Sequence, residues 1–152
     1  MRLGFDLDSV LCNSDITMLR MIDQMTPEQR EAIEEWYYLD REPKLNPEDF
    51  ISYEDEYVII TGRSEKMRDV TTDWVSKYCA NCLQLFIVDL GPAYNCTTKQ
   101  VANWSKEQAK RKAKIINQEK VEVYFEDNSE CVKELRKLCP KTKIIQFGGK
   151  LY

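Results

Sequence analysis

The chain alternates short apolar runs with longer stretches in which apolar residues recur at helical spacing. Leu3-Gly4-Phe5 ends in Asp6-Leu7-Asp8, and apolar character resumes at Val10-Leu11. Tyr57-Val58-Ile59-Ile60-Thr61 is a continuous, mostly β-branched run, the signature of a strand covered on both faces. Leu83–Leu90, Val121–Phe125 and Lys143–Phe147 supply three more strand candidates. Between them, Glu65–Tyr78 places Met67, Val70, Trp74 and Val75 on one helical face, with Ser64 as its cap. Thr97–Asn117 does the same with Val101, Trp104, Ala109, Ala113 and Ile116, and Ser129 caps a last helix that runs to Leu138 and is stopped by Pro140.

The segment after the first strand has a different character. Asn13–Met25 carries Ile16, Leu19, Met21, Ile22 and Met25 near a helical period. Thr26-Pro27-Glu28 then supplies the N-cap, first-turn proline and acidic first turn of a helix reaching about Tyr38, with a broad face of Ile33, Trp36, Tyr37 and Leu39. Asp40–Asp55 reads as loop with one short turn at Pro47–Phe50. Residues 13–56 thus predict a small helical insertion within a single domain of 152 residues. Strands alternating with helices predict a doubly wound α/β fold around a mainly parallel sheet of Rossmann-like type.

An apolar fraction of 43% excludes a disordered chain. No run is long enough to span a bilayer and no secretory signal pattern opens the sequence, which predicts a cytoplasmic protein with no membrane partner. Six cysteines in that setting read as free thiols, and Cys79-x-x-Cys82 with Cys96 lacks a fourth zinc ligand nearby. The absence of histidine is more informative. It removes Ser-His-Asp and Cys-His hydrolysis and the H-E-x-x-H metalloproteases, leaving acid–base work to carboxylates, Lys, Tyr or Cys. The net charge of −4 conceals an uneven distribution: residues 22–57 hold twelve acids and three bases, whereas residues 99–120 hold seven bases and two acids. An acidic insertion disfavours a general polyanion binder.

Polar chemistry gathers at three strand ends: Asp6/Asp8, Thr61-Gly62-Arg63 and Glu126-Asp127. Alternation on a strand points Asp6 and Asp8 the same way. Like charges at a buried strand end need a cation or a shared proton. Four carboxylates without histidine suit a hard, oxygen-liganded ion, with Mg²⁺ the natural candidate. A carboxylate is also a competent nucleophile toward phosphorus. Thr61 and the Gly62 N–H at a strand-to-helix turn suit phosphate oxygens, while Arg63 reads equally as a structural ion pair or a substrate contact.

Four motifs in order, Phe5-Asp6-Leu7-Asp8-Ser9-Val10-Leu11, Ile60-Thr61-Gly62-Arg63, Lys112-Ala113-Lys114-Ile115-Ile116 and Tyr124-Phe125-Glu126-Asp127-Asn128, give a chain that resembles the haloacid dehalogenase (HAD) superfamily of phosphohydrolases. The resemblance implies Asp6 as nucleophile and Asp8 as the acid that protonates the leaving oxygen and then activates water. It implies Thr61 and Lys112 as holders of the phosphoryl oxygens. Mg²⁺ would take the Asp6 carboxylate, the Asp8 carbonyl and the Glu126/Asp127 pair. Ser9 replaces the usual glycine, and Glu126 replaces the commoner aspartate. Lys112 is chosen by its distance to Glu126 and because Lys110 and Lys114 lie about 200° around the helix from it, with Lys114 the alternative if the register shifts. The 13–56 insertion corresponds to a substrate-selecting cap, in which Trp36, Tyr37, Tyr38 and Phe50 are candidates for stacking a nucleobase. The expected activity is a Mg²⁺-dependent phosphatase on small phosphomonoesters, nucleotides foremost, like a 5′-nucleotidase. The alternatives are a 3′- or 5′-phosphatase acting on nucleic-acid ends and a catalytically idle binding module. A short cap also leaves room for a homodimer in which a neighbouring subunit completes the site.

Overall fold

The computed structural model describes residues 1–90 and 98–148. Five parallel strands, β1 (Arg2–Phe5), β2 (Glu56–Thr61), β3 (Gln84–Ile87), β4 (Val123–Glu126) and β5 (Lys143–Gln146), lie in the order β3-β2-β1-β4-β5. Helices α1 (Ile16–Asp23) and α2 (Pro27–Leu39) and a 3₁₀ turn at Pro47–Asp49 are inserted between β1 and β2. Another 3₁₀ turn, Glu65–Met67, leads into α3 (Arg68–Tyr78), and α4 (Thr98–Gln118) and α5 (Ser129–Leu138) complete the set. The doubly wound, Rossmann-like reading is therefore correct, with every strand pair parallel.

Alternation along β2 explains the two cores. Tyr57 and Ile59 face one side with Leu3, Phe5, Trp74 and Val75, which places α3 there. Val58 and Ile60 face the other with Ala113, Ile116, Val132 and Leu135, which places α4 and α5 there. With both faces covered, no polar position is tolerated along the strand, hence the unbroken apolar run. The chain builds outward from β1 through β2 to β3, then crosses back through α4 to β4 on β1's other edge. Strand order reverses between β1 and β4, the place where an open α/β sheet leaves a crevice beyond its strands' carboxyl ends.

Local chemistry fixes the element ends. Thr26 Oγ1 accepts from the Gln29 N–H at 3.2 Å while Gln29 Oε1 accepts from the Thr26 N–H at 3.0 Å, a capping box followed by Pro27. Helix α5 is capped by Asn128, whose side chain accepts from the Cys131 N–H; Ser129, expected as the cap, is the first helical residue. Strand β3 is shorter than its apolar run. On α2 only Tyr37 of the expected broad face is buried, since Trp36 is 56% and Leu39 60% exposed. Among the described residues, no helix is long and apolar enough to cross a membrane.

Candidate active site

The loops leaving β1, β2 and β4 converge on one cavity of about 1000 Å³. Asp6, Asp8, Thr61, Gly62, Arg63, Glu126 and Asp127 all line it, so seven of the eight residues singled out in the sequence meet at one crevice. The eighth, Lys112, comes from the middle of α4 and sits behind the wall with its side chain 0% exposed.

Two ion-paired clusters organise the site. In the first, Lys112 Nζ donates to Asp6 Oδ1 at 2.9 Å and to Glu126 Oε2 at 2.7 Å. Glu126 Oε1 accepts from the Asn128 N–H at 3.2 Å, so both of its oxygens are held by protein. Carboxylate oxygens of Asp6, Glu126 and Asp127 all lie within 4.8 Å of one another. One amine does not offset three carboxylates. Burial and the Glu126 charge raise Asp6 well above the usual carboxylate range despite Lys112. Asp127, half-buried and beside Glu126, is pushed up to about 7 by desolvation and the Glu126 charge. Lys112 loses by desolvation, but Asp6 and Glu126 more than restore its charge. Lys112 was expected to face the phosphoryl group; it instead holds the two carboxylates, and Lys110 and Lys114 take no place in the cavity wall.

In the second cluster, Arg63 grips Asp8 with both arms of its fork, Nε to Oδ2 at 2.9 Å and Nη2 to Oδ1 at 2.7 Å. Nη1 donates to Thr71 Oγ1 at 3.1 Å, and the Arg63 side chain is 1% exposed. Burial alone raises Asp8, but the charge and hydrogen bonds of Arg63 outweigh it and leave the carboxyl below its usual range. The sequence left Arg63 open between two readings. Its side chain makes the ion pair with Asp8 and donates also to Thr71 and Cys12 while lining the cavity.

The turns between these clusters are tight. The Leu7 carbonyl accepts from the N–H groups of Val10, Leu11 and Cys12. Ser9 adopts φ +67°, the left-handed region that favours glycine. Thr61 ends β2 with its hydroxyl accepting from the Arg63 N–H. Gly62 has no room for a side chain, since a β-carbon there would lie 2.0 Å from Gln108 Nε2.

Several cavity residues went unrecognised in the sequence. Trp104 and Gln108 precede Lys112 at intervals of four on α4, a helical spacing that marks one face. Tyr38, one of four candidate stacking aromatics, lines the cavity. Trp36 is exposed and outside it, Tyr37 is buried with its hydroxyl accepting from the Asp15 N–H, and Phe50 packs edge-on to Phe5. Cys79 and Cys82 are free thiols raised by burial, and neither joins a metal-capable cluster among the described residues; Cys96 lies outside those residues.

No protein-family model matches the sequence, and no curated protein matches it. Solved structures that share the fold include the following two. A HAD-superfamily hydrolase of subfamily IA, variant 1, from Geobacter sulfurreducens PCA superimposes with a TM-score of 0.59 at 8% identity, covering 99% of this chain and 88% of that one. A chain of the Pnkp1/Rnl/Hen1 RNA repair complex superimposes with a TM-score of 0.55 at 15% identity, covering 99% of this chain but 43% of that one. The architecture is accordingly the Rossmann-like fold found in a HAD hydrolase, reached by a chain less than half the length of the RNA repair subunit it matches.

Proposed function

We propose that the protein is a Mg²⁺-dependent phosphomonoesterase that works through an aspartyl-phosphate on Asp6. The observation that carries this is the surplus of negative charge where Asp6, Glu126 and Asp127 meet over a single amine. A hard divalent cation suits that all-oxygen donor set and removes the reason for Asp6 and Asp127 to retain protons. Asp6 and Asp127 are the natural direct carboxylate ligands, joined by the Asp8 carbonyl as the HAD resemblance implies, because Glu126 is already held by Lys112 and Asn128. When bound, Mg²⁺ supplies charge stabilisation to the phosphoryl oxygens.

The chain's own residues supply the rest. Lys112 fixes Asp6 Oδ1, which leaves Oδ2 as the attacking oxygen. As the Oδ2–phosphorus bond forms, the ester bond breaks and the leaving oxygen takes a proton from Asp8. A phosphate dianion arriving beside Asp8 raises its proton affinity against the pull of Arg63. Asp8, now a carboxylate, takes a proton from water, whose oxygen displaces Asp6 and releases inorganic phosphate. Thr61 and the Gly62 N–H suit the equatorial oxygens, while Lys112 acts from behind the wall by holding Asp6 and Glu126.

The substrate class follows from the inserted helices, which act as a cap in this reading. The cavity far exceeds a phosphate and is walled on the cap side by Glu31 and Glu35 and by Asp23 and Glu34, the last two ion-paired to Arg30, so acids outnumber bases there. Those acids favour a single terminal phosphate on a small, uncharged leaving group such as a nucleoside. A second reading, a phosphatase of nucleic-acid ends, is favoured by the likeness to the RNA repair chain. Phosphate release from nucleoside monophosphates and from 3′- and 5′-phosphorylated oligonucleotides, with Mg²⁺ and with chelator, separates the two. Mg²⁺-dependent release from mononucleotides is expected. Release from oligonucleotides alone selects the second reading, and none from any substrate overturns both.

A further inference from the structure

The cap touches the catalytic core at one chemically telling place. Tyr38, in the last turn of α2, lays its ring over the Arg63 guanidinium with 4.1 Å between the guanidinium carbon and the ring centroid. The same guanidinium grips both oxygens of Asp8. Cys12 flanks the pair, its thiol donating to Asp8 Oδ1 at 3.4 Å, and Thr71 on α3 takes the remaining arm. Four of the five Arg63 N–H groups thus meet Asp8, Thr71 or Cys12, and one face of the guanidinium is covered by an aromatic ring. The Tyr38 hydroxyl donates no hydrogen bond among the described residues, so the contact is made by the ring.

We infer that Tyr38 is a positioning residue: by roofing Arg63 it excludes water from the Arg63–Asp8 fork and makes the seating of the cap and the alignment of Asp8 one event. An arginine held edge-on by a carboxylate has its faces open to water unless something apolar covers them. Water there weakens the ion pair and lets the fork swing. The neighbouring α2 aromatics do not substitute, since Tyr37 lies over Arg41 and Trp36 points to solvent. Asp8 then samples orientations in which it reaches neither the leaving oxygen nor the attacking water. The loss falls on turnover and not on substrate affinity, because Tyr38 acts through Arg63 and Asp8.

The inference rests on the phosphatase reading only through the task given to Asp8, and two readouts keep the failures apart. The first, independent of catalysis, is solvent exchange of the Arg63 Nε–H in ¹⁵N NMR spectra, assigned with Arg63→Lys. That proton is expected to be protected in the wild type and in Tyr38→Phe, and to exchange at least tenfold faster in Tyr38→Leu and Tyr38→Ala. The second is steady-state phosphate release. Tyr38→Phe is expected to retain activity within twofold, while Tyr38→Leu and Tyr38→Ala lose about tenfold in kcat with KM within twofold. Tyr38→Leu fills part of the space but lacks the flat ring that covers the guanidinium face, and decides the matter if Tyr38→Ala does not fold. Unchanged Nε–H exchange in Tyr38→Leu overturns the inference. So does a loss confined to KM, which makes Tyr38 a substrate contact, or a loss in Tyr38→Phe equal to that in Tyr38→Leu, which assigns the effect to the hydroxyl. Faster exchange in a protein that releases no phosphate from any substrate sustains the roof over Arg63 and removes the phosphatase reading alone.

Discussion

The two ion-paired clusters at the carboxyl edge of the sheet use similar parts to opposite ends. Around Lys112, one amine pairs with Asp6 and Glu126 while Asp127 adds a third carboxylate beside them; around Arg63, one carboxylate takes both arms of a guanidinium. The first is left with unanswered negative charge, so it attracts protons or a cation and has reactivity to spend. The second is neutral, closed and roofed, so it holds a shape. The difference between Lys and Arg follows: a compact ammonium suits a crowded cluster of oxygens, while a planar fork aligns a single carboxylate.

Exchanging parts between the clusters breaks this contrast at graded strengths. Asp6→Asn removes the nucleophile and keeps the side chain's shape, so phosphate release falls by at least about 10³-fold while circular dichroism and the unfolding midpoint stay close to wild type. Activity near wild type would refute the assigned nucleophile. Lys112→Met leaves the buried carboxylates without their amine and costs about 3–5 kcal/mol in urea-induced unfolding. The double variant Lys112→Met/Glu126→Gln recovers part of that loss. An uncoupled pair of costs would show that the amine does not serve Glu126. Arg63→Lys keeps the charge but loses the fork; kcat falls by about 10²-fold, with stability less affected than in Lys112→Met. The mildest change is at the turn just past Asp8. Ser9→Gly relieves a left-handed φ but gives up the Ser9–Ser14 hydroxyl contact and adds freedom to the unfolded chain, so stability shifts by less than about 1 kcal/mol. A larger loss would mean that the serine hydroxyl holds the turn.

The sequence exposed much of this because its strongest signals were local. A doubly covered strand must be apolar throughout, and acids at its end stand out sharply, so β2 and the Asp6/Asp8 and Glu126/Asp127 pairs were legible. Partnerships were not. Nothing local told whether Arg63 would turn to substrate or to Asp8, since that depends on β1 and β2 lying side by side. The same gap explains α2: its aromatic residues look alike in sequence, yet the angle at which the helix meets the core buries Tyr37, lays Tyr38 on Arg63 and leaves Trp36 outside. The α5 cap was misplaced by one residue because Asn128 and Ser129 are both competent caps and only the exit from β4 decides.

The Gln108 amide lying against Gly62 has a consequence for how the pocket is dimensioned. Because nothing but hydrogen occupies that gap, the turn after β2 and the side-chain tip of Gln108, on the helix bearing Lys112, lie in close contact. An alanine at 62 would act as a shim one methyl thick, displacing first the amide and then, if the amide finds no room, the helix itself. Glycine here is a tolerance in the machinist's sense: it sets how near the Gln108 amide can come to the turn after β2.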